Sequence, residues 1–235
     1  MIKWDDMPKF MKNKEVKKYY EYLQKRKVSL FIKRVFDIFA SILGLIFFSP
    51  IMIILGIAIK LDSKGPVFFK QERITTNNRK FKIYKFRTMV QNADKIGSLV
   101  TVGNDNRITK VGKFIRKFRL DEFPQLINVL KGDMSFIGTR PEVEKYVDAY
   151  TDEMKATLLM KAGITSMTSI LYKDEADIMN KYTKKGKTAD EAYIKYVLPQ
   201  KMKYNIEYIE KFNVLYDFKI AVYTVLAVLG LKKFD

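Results

Sequence analysis

The sequence predicts an α+β protein, mainly helical, in which an apolar membrane element near the N-terminus precedes one compact domain. Three observations carry this. Ile38–Ile59 is a run of 22 residues without a charge. Two stretches that alternate apolar and polar residues flank Asn77-Asn78. The rest of the apolar pattern falls into short blocks bounded by Gly, Pro and capping residues, the mark of short helices. The expected divisions are 1–30, a basic amphipathic lead; 31–62, the membrane element; and 63–235, the compact domain.

Residues 13–30 read as the first helix. Val16, Tyr19, Tyr20 and Leu23 fall on one face, ringed by Lys14, Lys17, Lys18 and Lys25. That pattern suits a helix lying beside an anionic leaflet, and equally a solvated lead-in. The apolar run follows. As one helix its length is about 33 Å, enough to cross a hydrocarbon core of about 30 Å. Pro50 sits near its middle, after Ser49. Proline removes the bond to the carbonyl of residue 46 and crowds it, so a break is expected. The Ser49 hydroxyl can take up a freed carbonyl. Both flanks are basic, Lys33 and Arg34 before and Lys60 and Lys64 after. Residues 1–34 hold 11 Lys/Arg against four Asp/Glu, a net of +7. A spanning helix cannot satisfy the positive-inside tendency at both ends, whereas a re-entrant helix–break–helix can. Proline is common in membrane helices, so a kinked spanning helix stays open as the alternative.

Gly65-Pro66 then marks a turn. Val67–Ile74 and Lys80–Met89 are expected to form a β-hairpin. Residues 91–109 are polar and irregular and read as a loop. Lys110–Phe118 is a short basic helix, and Asp121–Leu130 is another, ended by Gly132. Asp148–Lys161 is expected to be helical, as is Thr188–Val197. Pro199 suits the first turn of a helix running to about Phe212. Phe218–Leu231 is apolar nearly throughout but too short to span, so it packs on the core or lies in the interface.

Composition narrows the chemistry. The 235 residues include no Cys and no His. Disulfides, thiolate zinc sites, Cys nucleophiles, Ser-His-Asp triads and imidazole metal cages are excluded. Acids, bases and nucleophiles must come from Asp, Glu, Lys, Tyr, Ser or Thr, and a metal must be a hard ion such as magnesium. The net charge of +18 points to a polyanionic partner: nucleic acid, an anionic membrane or phosphorylated substrates.

The segment Asn106–Glu142 concentrates the candidates. Asp121-Glu122 is expected at a helix N-terminus, with Asp121 as the cap and Pro124 in the first turn. Adjacent helical residues diverge by about 100°, so the two carboxylates suit different tasks, one attacking and one holding a metal. Alone, such a pair is more often a simple helix cap. Its neighbours weigh against that: Lys110, Lys113, Arg116, Lys117 and Arg119 precede it, Arg140 follows, and Lys85 and Arg87 end the second strand. Cations converging on carboxylates suit phosphoryl chemistry.

These residues carry a resemblance. In order along the chain stand Lys33-Arg34-Val35-Phe36-Asp37, the apolar run with Ser49-Pro50, Gly65-Pro66-Val67-Phe68-Phe69-Lys70-Gln71-Glu72-Arg73, Phe81–Met89, Arg107–Gly112 and Leu120–Gly138. The chain resembles the bacterial sugar transferases, the small monotopic phosphoglycosyl transferases that prime undecaprenyl-linked glycan assembly. The resemblance runs from about residue 31 to the end. It implies that Asp121 attacks the β-phosphate of a UDP-sugar and releases UMP. Glu122 would coordinate Mg2+, and the phospho-sugar would pass to undecaprenyl phosphate. It further implies phosphate contacts for Lys85, Arg116 and Arg140; Asp217 matches a recurrent family Asp, and Arg87, at the end of the second strand, is expected to bind substrate beside them. Ser49 and Pro50, flanked by Lys33 and Arg34, would break a re-entrant hairpin. The compact domain would then be catalytic, on the cytoplasmic face of the bacterial inner membrane, against anionic lipids. Downstream glycosyltransferases and a second copy of the chain are compatible partners; nucleic acid is not expected. No extra N-terminal membrane domain, as in the long members, is expected either.

The sequence departs from the family pattern at Gly138-Thr139-Arg140-Pro141 and at Ala162–Glu175. Lys173 falls where a substrate-binding Arg is expected, and a lysine offers a point charge in place of a bidentate fork. Two other classes compete: a membrane-anchored nucleic-acid-binding module, supported by charge and aromatics, and a non-catalytic scaffold.

Overall fold

A computed structural model describes residues 1–93, 105–172 and 175–231. It is mainly helical, with two small two-stranded sheets and one long apolar helix near the N-terminus.

Helix α1, Lys14–Gln24, begins where Asn13 Oδ1 accepts the Val16 amide at 2.8 Å. Its apolar stripe of Val16, Tyr19, Tyr20 and Leu23 is buried. The stripe packs on the protein's own core, in place of either the leaflet or the solvent that the sequence left open for it. The physical reason lies in its tyrosines. Tyr19 donates to Glu153 Oε1 at 2.8 Å and Tyr20 to the Ile2 carbonyl at 3.0 Å, partners that a lipid interface would not supply.

Helix α2, Lys27–Asp62, contains the apolar run. Its most apolar 18-residue window has a mean hydropathy of 2.7 and is only 11% buried. The helical conformation continues through Pro50, so the expected helix–break–helix is one helix in secondary structure. Ser49 Oγ donates to the Ile46 carbonyl at 2.8 Å, which satisfies the acceptor that proline leaves open. One stripe of α2 rests on the domain. Asp37, Ser41, Leu55 and Ile59 are buried, and the Phe48 ring lies 4.6 Å from that of Phe123. Phe39, Ile46, Phe47, Ile53, Ile54 and Ile57 remain exposed.

Strands β1, Phe68–Thr75, and β2, Arg79–Phe86, form the expected antiparallel hairpin, with Phe68 opposite Phe86 and Thr75 opposite Arg79. Asn77 and Asn78 turn it with φ of 59° and 58°, a region Asn tolerates. Helix α3, Lys110–Lys117, starts at Thr109, whose hydroxyl accepts the Gly112 amide. A 3-10 turn, Leu120–Glu122, leads into α4, Gln125–Lys131, which ends at Gly132 with φ 88°.

The second sheet was not foreseen. Strand β3, Met134–Ile137, runs parallel to β4, Ala162–Thr165. Between them lie only a short α5, Glu144–Val147, and a 3-10 stretch, Met154–Leu159, in place of the expected helix 148–161. Two glycines let the backbones meet. A Cβ on Gly138 would lie 2.2 Å from the Lys161 carbonyl oxygen, and one on Gly163 would lie 2.3 Å from the Gly138 nitrogen.

Helices α6, Met167–Leu171, and α7, Glu175–Thr183, lead to α8, Ala189–Ala192, where Thr188 and Glu191 form a capping box. A π-turn, Tyr193–Val197, joins α8 to α9, Leu198–Lys211, with Pro199 in its first turn. Helix α10, Val214–Val228, buries Ile220 but leaves Leu215, Phe218, Val222 and Val225 exposed. It therefore packs on the core along one side and presents apolar residues along another.

Candidate active site

Four segments converge on one cavity of about 840 Å3. Strand β2 brings Lys85, α3 brings Arg116, the 3-10 turn brings Asp121 and Glu122, and the loop after β3 brings Arg140. The turn is set by Arg119, whose φ of 54° reverses the chain after α3. Asp121 is not the cap of α4, as expected, because that helix starts only at Gln125, after Pro124. Proline has no N–H to donate to a capping carboxylate, and both acids occupy the preceding turn and line the cavity.

Lys85 links the two acids. Its Nζ lies 3.2 Å from Glu122 Oε1 and 3.8 Å from Asp121 Oδ2. Burial pushes the Asp121 carboxyl above the ordinary carboxylate range, Glu122 adds to this, and Lys85 and Arg116 oppose it without cancelling it. Burial acts on Glu122 in the same sense, but Lys85, Arg140 and Arg119 outweigh it and hold that carboxyl below its usual value. Two adjacent acids are thus set apart: Asp121 holds its proton more readily, and Glu122 stays ionised. Arg116 is aimed by a bond from Nε to Thr88 Oγ1 at 2.8 Å. Arg107 also lines the cavity but is joined to Asp105, with Nη2 2.6 Å from Oδ2.

The structure therefore brings Lys85, Arg116, Asp121, Glu122 and Arg140 together. It does not treat the other expected residues alike. Arg87 reaches the cavity wall, but both of its Nη atoms are taken by carbonyls at and just past the end of α2. Nη1 donates to the Lys64 carbonyl at 2.9 Å, and Nη2 to the Ser63 carbonyl at 2.6 Å and the Ile59 carbonyl at 3.2 Å. An Arg at the end of a strand carries no sign of whether it faces ligand or a helix C-terminus, and here the orphan carbonyls claim it. Asp217 is not among the residues that line the cavity. It pairs with Lys33 Nζ at 2.6 Å and accepts from Tyr208 at 2.8 Å, tying α10 to the start of α2. Arg34 caps α4 through the Val129 and Leu130 carbonyls at 2.7 and 2.9 Å. Lys173 lies outside the described residues.

Among the wall residues are Gln71 and Arg73, which the sequence places in a family-like run without assigning them a role. The signal was available. Phe69, Gln71 and Arg73 alternate along β1, and Phe69 stands opposite Lys85, so a hairpin register fixed at the Asn turn places all three on the lysine's face.

Two adjacent carboxylates ringed by Lys and Arg stand on a domain with a long exposed apolar helix compatible with membrane association, an arrangement whose charges suit phosphate-bearing ligands. The chain belongs to the bacterial sugar transferase family, whose model matches residues 28–231. It is 39% identical over 202 residues to the UDP-N-acetylgalactosamine-undecaprenyl-phosphate N-acetylgalactosaminephosphotransferase of Aeromonas hydrophila, covering 85% of this chain and 44% of that protein. It is 36% identical over 203 residues to the UDP-glucose:undecaprenyl-phosphate glucose-1-phosphate transferase of Escherichia coli K12, covering 84% of this chain and 40% of that protein. Against the galactosyl transferase CpsE of Streptococcus agalactiae serotype III the figures are 34% over 223 residues, 90% and 44%. The chain spans less than half the length of these three relatives.

Proposed function

We propose that the protein transfers a phospho-sugar from a UDP-sugar to undecaprenyl phosphate, the priming step of surface polysaccharide or glycoconjugate synthesis. The observation that carries this is Lys85 between Asp121 and Glu122 in a cavity also lined by Arg116 and Arg140. A nucleophilic carboxylate needs cations that offset the phosphate's charge without quenching the attack, and a raised proton affinity marks the stronger nucleophile. Asp121 has that raised affinity.

An ionised Asp121 oxygen attacks the β-phosphorus. The bond from that phosphorus to the bridging oxygen breaks, and UMP leaves with the electron pair. Asp121 now carries the phospho-sugar. A phosphate oxygen of undecaprenyl phosphate then attacks the same phosphorus, the aspartyl oxygen departs, and undecaprenyl diphosphate sugar is formed. Lys85, Arg116 and Arg140 hold the phosphates through both exchanges. The donor set also suits magnesium, which takes one or two carboxylates and completes its shell with phosphate oxygens and water. Glu122, held ionised, would keep it, and the bound ion would offset charge on the diphosphate.

The placement of α2 supports a re-entrant reading. Its start is tied to the domain through Lys33, Arg34 and Asp37, and its end through Arg87 and Asp62, which accepts the Val111 amide at 3.0 Å. Both ends of such a helix stay on that domain's side of the bilayer, which in this reading is the cytoplasmic face of the inner membrane. Epitope tags at both termini should be protected from external protease, and an accessible N-terminal tag contradicts this topology. For the reaction, detergent-solubilised protein with undecaprenyl phosphate and Mg2+ should release UMP from at least one of a panel of UDP-sugars. Absence of UMP with every sugar contradicts the proposed activity.

A further inference from the structure

We propose that Gln71 is a specificity-determining donor of the cavity, reading a carbonyl oxygen of the bound sugar nucleotide, and that Arg73 is the positioning residue that orients it. This rests on the cavity being a sugar-nucleotide site.

Strand alternation places Phe69, Gln71 and Arg73 on one face of β1, and all three line the cavity. Phe69 stands opposite Lys85. Gln71 is two residues further on, about 7 Å along the wall from the lysine that meets the acids. Its amide is held the right way round. Arg73 Nε and Nη2 lie 3.2 and 2.7 Å from Gln71 Oε1. A guanidinium has only N–H to offer, so the reversed amide would set donor against donor. Oε1 is therefore used, and Nε2 has no partner among the described residues. A half-buried amide with its donor end unmatched gains from an acceptor that the ligand brings. The cavity already holds Lys85, Arg116 and Arg140 for phosphate, and Gln71 stands two residues along β1 from the lysine's partner, where it faces the part of the ligand beyond the diphosphate. A UDP-sugar offers carbonyl oxygens in two places: the uracil, and the N-acyl group where the sugar has one.

Arg73 is itself braced from behind. Its Nη1 donates to the Pro141 carbonyl at 3.3 Å and lies 3.9 Å from Glu142 Oε2. Glu142 Oε1 accepts from Tyr193 at 2.6 Å, Tyr193 accepts from Lys201 Nζ at 2.9 Å, and Lys201 pairs with Glu175 at 2.7 Å. Glu142, Tyr193 and Lys201 are each no more than 3% exposed. A buried chain of partners thus runs from α9 to the amide and fixes it before ligand arrives, the condition under which one hydrogen bond discriminates between substrates.

The test compares the full-length wild type with Gln71→Met and Gln71→Glu. Dissociation constants for UDP, UDP-glucose and UDP-N-acetylglucosamine are read by calorimetry, and KM and kcat by UMP release. Methionine keeps the shape and loses the donor. Glutamate keeps the bonds to Arg73 but has no N–H. Gln71→Met should weaken binding about ten-fold, with the loss in KM and not in kcat, and Gln71→Glu should not restore it. Weakening on all three probes places the carbonyl on uracil; weakening on the acetamido sugar alone places it on the N-acyl group. Equal binding of every probe by wild type and Gln71→Met overturns the proposal. So does recovery by Gln71→Glu, which would mean that Gln71 only supports Arg73, and so does a wild type that binds none of the three. UMP release with binding independent of Gln71 sinks this proposal alone. Binding that depends on Gln71 without UMP release sinks the transferase reading alone.

Discussion

Lys85 Nζ stands 3.2 Å from Glu122 Oε1, where the end of β2 meets the turn carrying both acids. The same ammonium is among the charges that lower the proton affinity of Asp121. Its loss leaves burial and Glu122 less opposed, so the Asp121 carboxyl rises further. Attack needs the ionised form, and activity is gained as pH rises through that value. Lys85→Met should therefore move the acidic limb of the kcat/KM profile to higher pH, besides lowering the plateau. A limb that stays in place, or moves down, contradicts the link between the two residues.

The same shift has a stability sign. Asp121 binds its proton more tightly folded than unfolded, so its ionised form opposes folding, and the cost is present above the folded value. Asp121→Asn removes the charge. The variant should show no turnover and a Tm at or above that of the wild type at neutral pH. A Tm lower by more than about 3 °C would mean that the ionised carboxylate supports the fold.

Arg87 offers the converse case. Its side chain is spent on the end of α2, and the residue is 5% exposed. Arg87→Met should cost about 2–4 kcal/mol by denaturant unfolding, because buried carbonyls lose a charged donor. The KM for UDP-sugar of the surviving folded protein should change little. A large rise in KM with unchanged stability would restore Arg87 to the ligand.

Gly163 carries the parallel strand pair that aims Arg140. A methyl there meets the Gly138 nitrogen at 2.3 Å and the Thr165 oxygen at 2.4 Å, both backbone atoms with little freedom to move. Gly163→Ala should destabilise by about 2–4 kcal/mol and lower activity with it. Wild-type stability would show that β3 and β4 can separate without cost.

Much of this was legible in the sequence because it depends on local pattern. The hairpin shows in alternation about Asn77-Asn78, the apolar helix in its uncharged run, and Asp121 and Glu122 in their cationic surroundings. What stayed hidden depends on distant partners. Strands β3 and β4 have four residues each, β4 runs through Gly163, and nothing local marks a pairing across some two dozen residues. Helix α1 has the look of an interfacial helix until Glu153 and the Ile2 carbonyl meet its tyrosines. Arg87 and Asp217 are ordinary charges in sequence, and only the C-terminus of α2 and Lys33 decide what they do. At Pro50 the helical conformation continues, and Ser49 takes up the carbonyl that the proline leaves open.

The central claim is that Asp121 carries the phospho-sugar. Incubating the protein with a UDP-sugar labelled at the β-phosphate, without undecaprenyl phosphate, and mapping the label by peptide mass spectrometry tests it directly. The label should sit on the peptide containing Asp121, be absent from Asp121→Asn, and be discharged by undecaprenyl phosphate. UMP release with no labelled peptide, or a label on another residue, would contradict it.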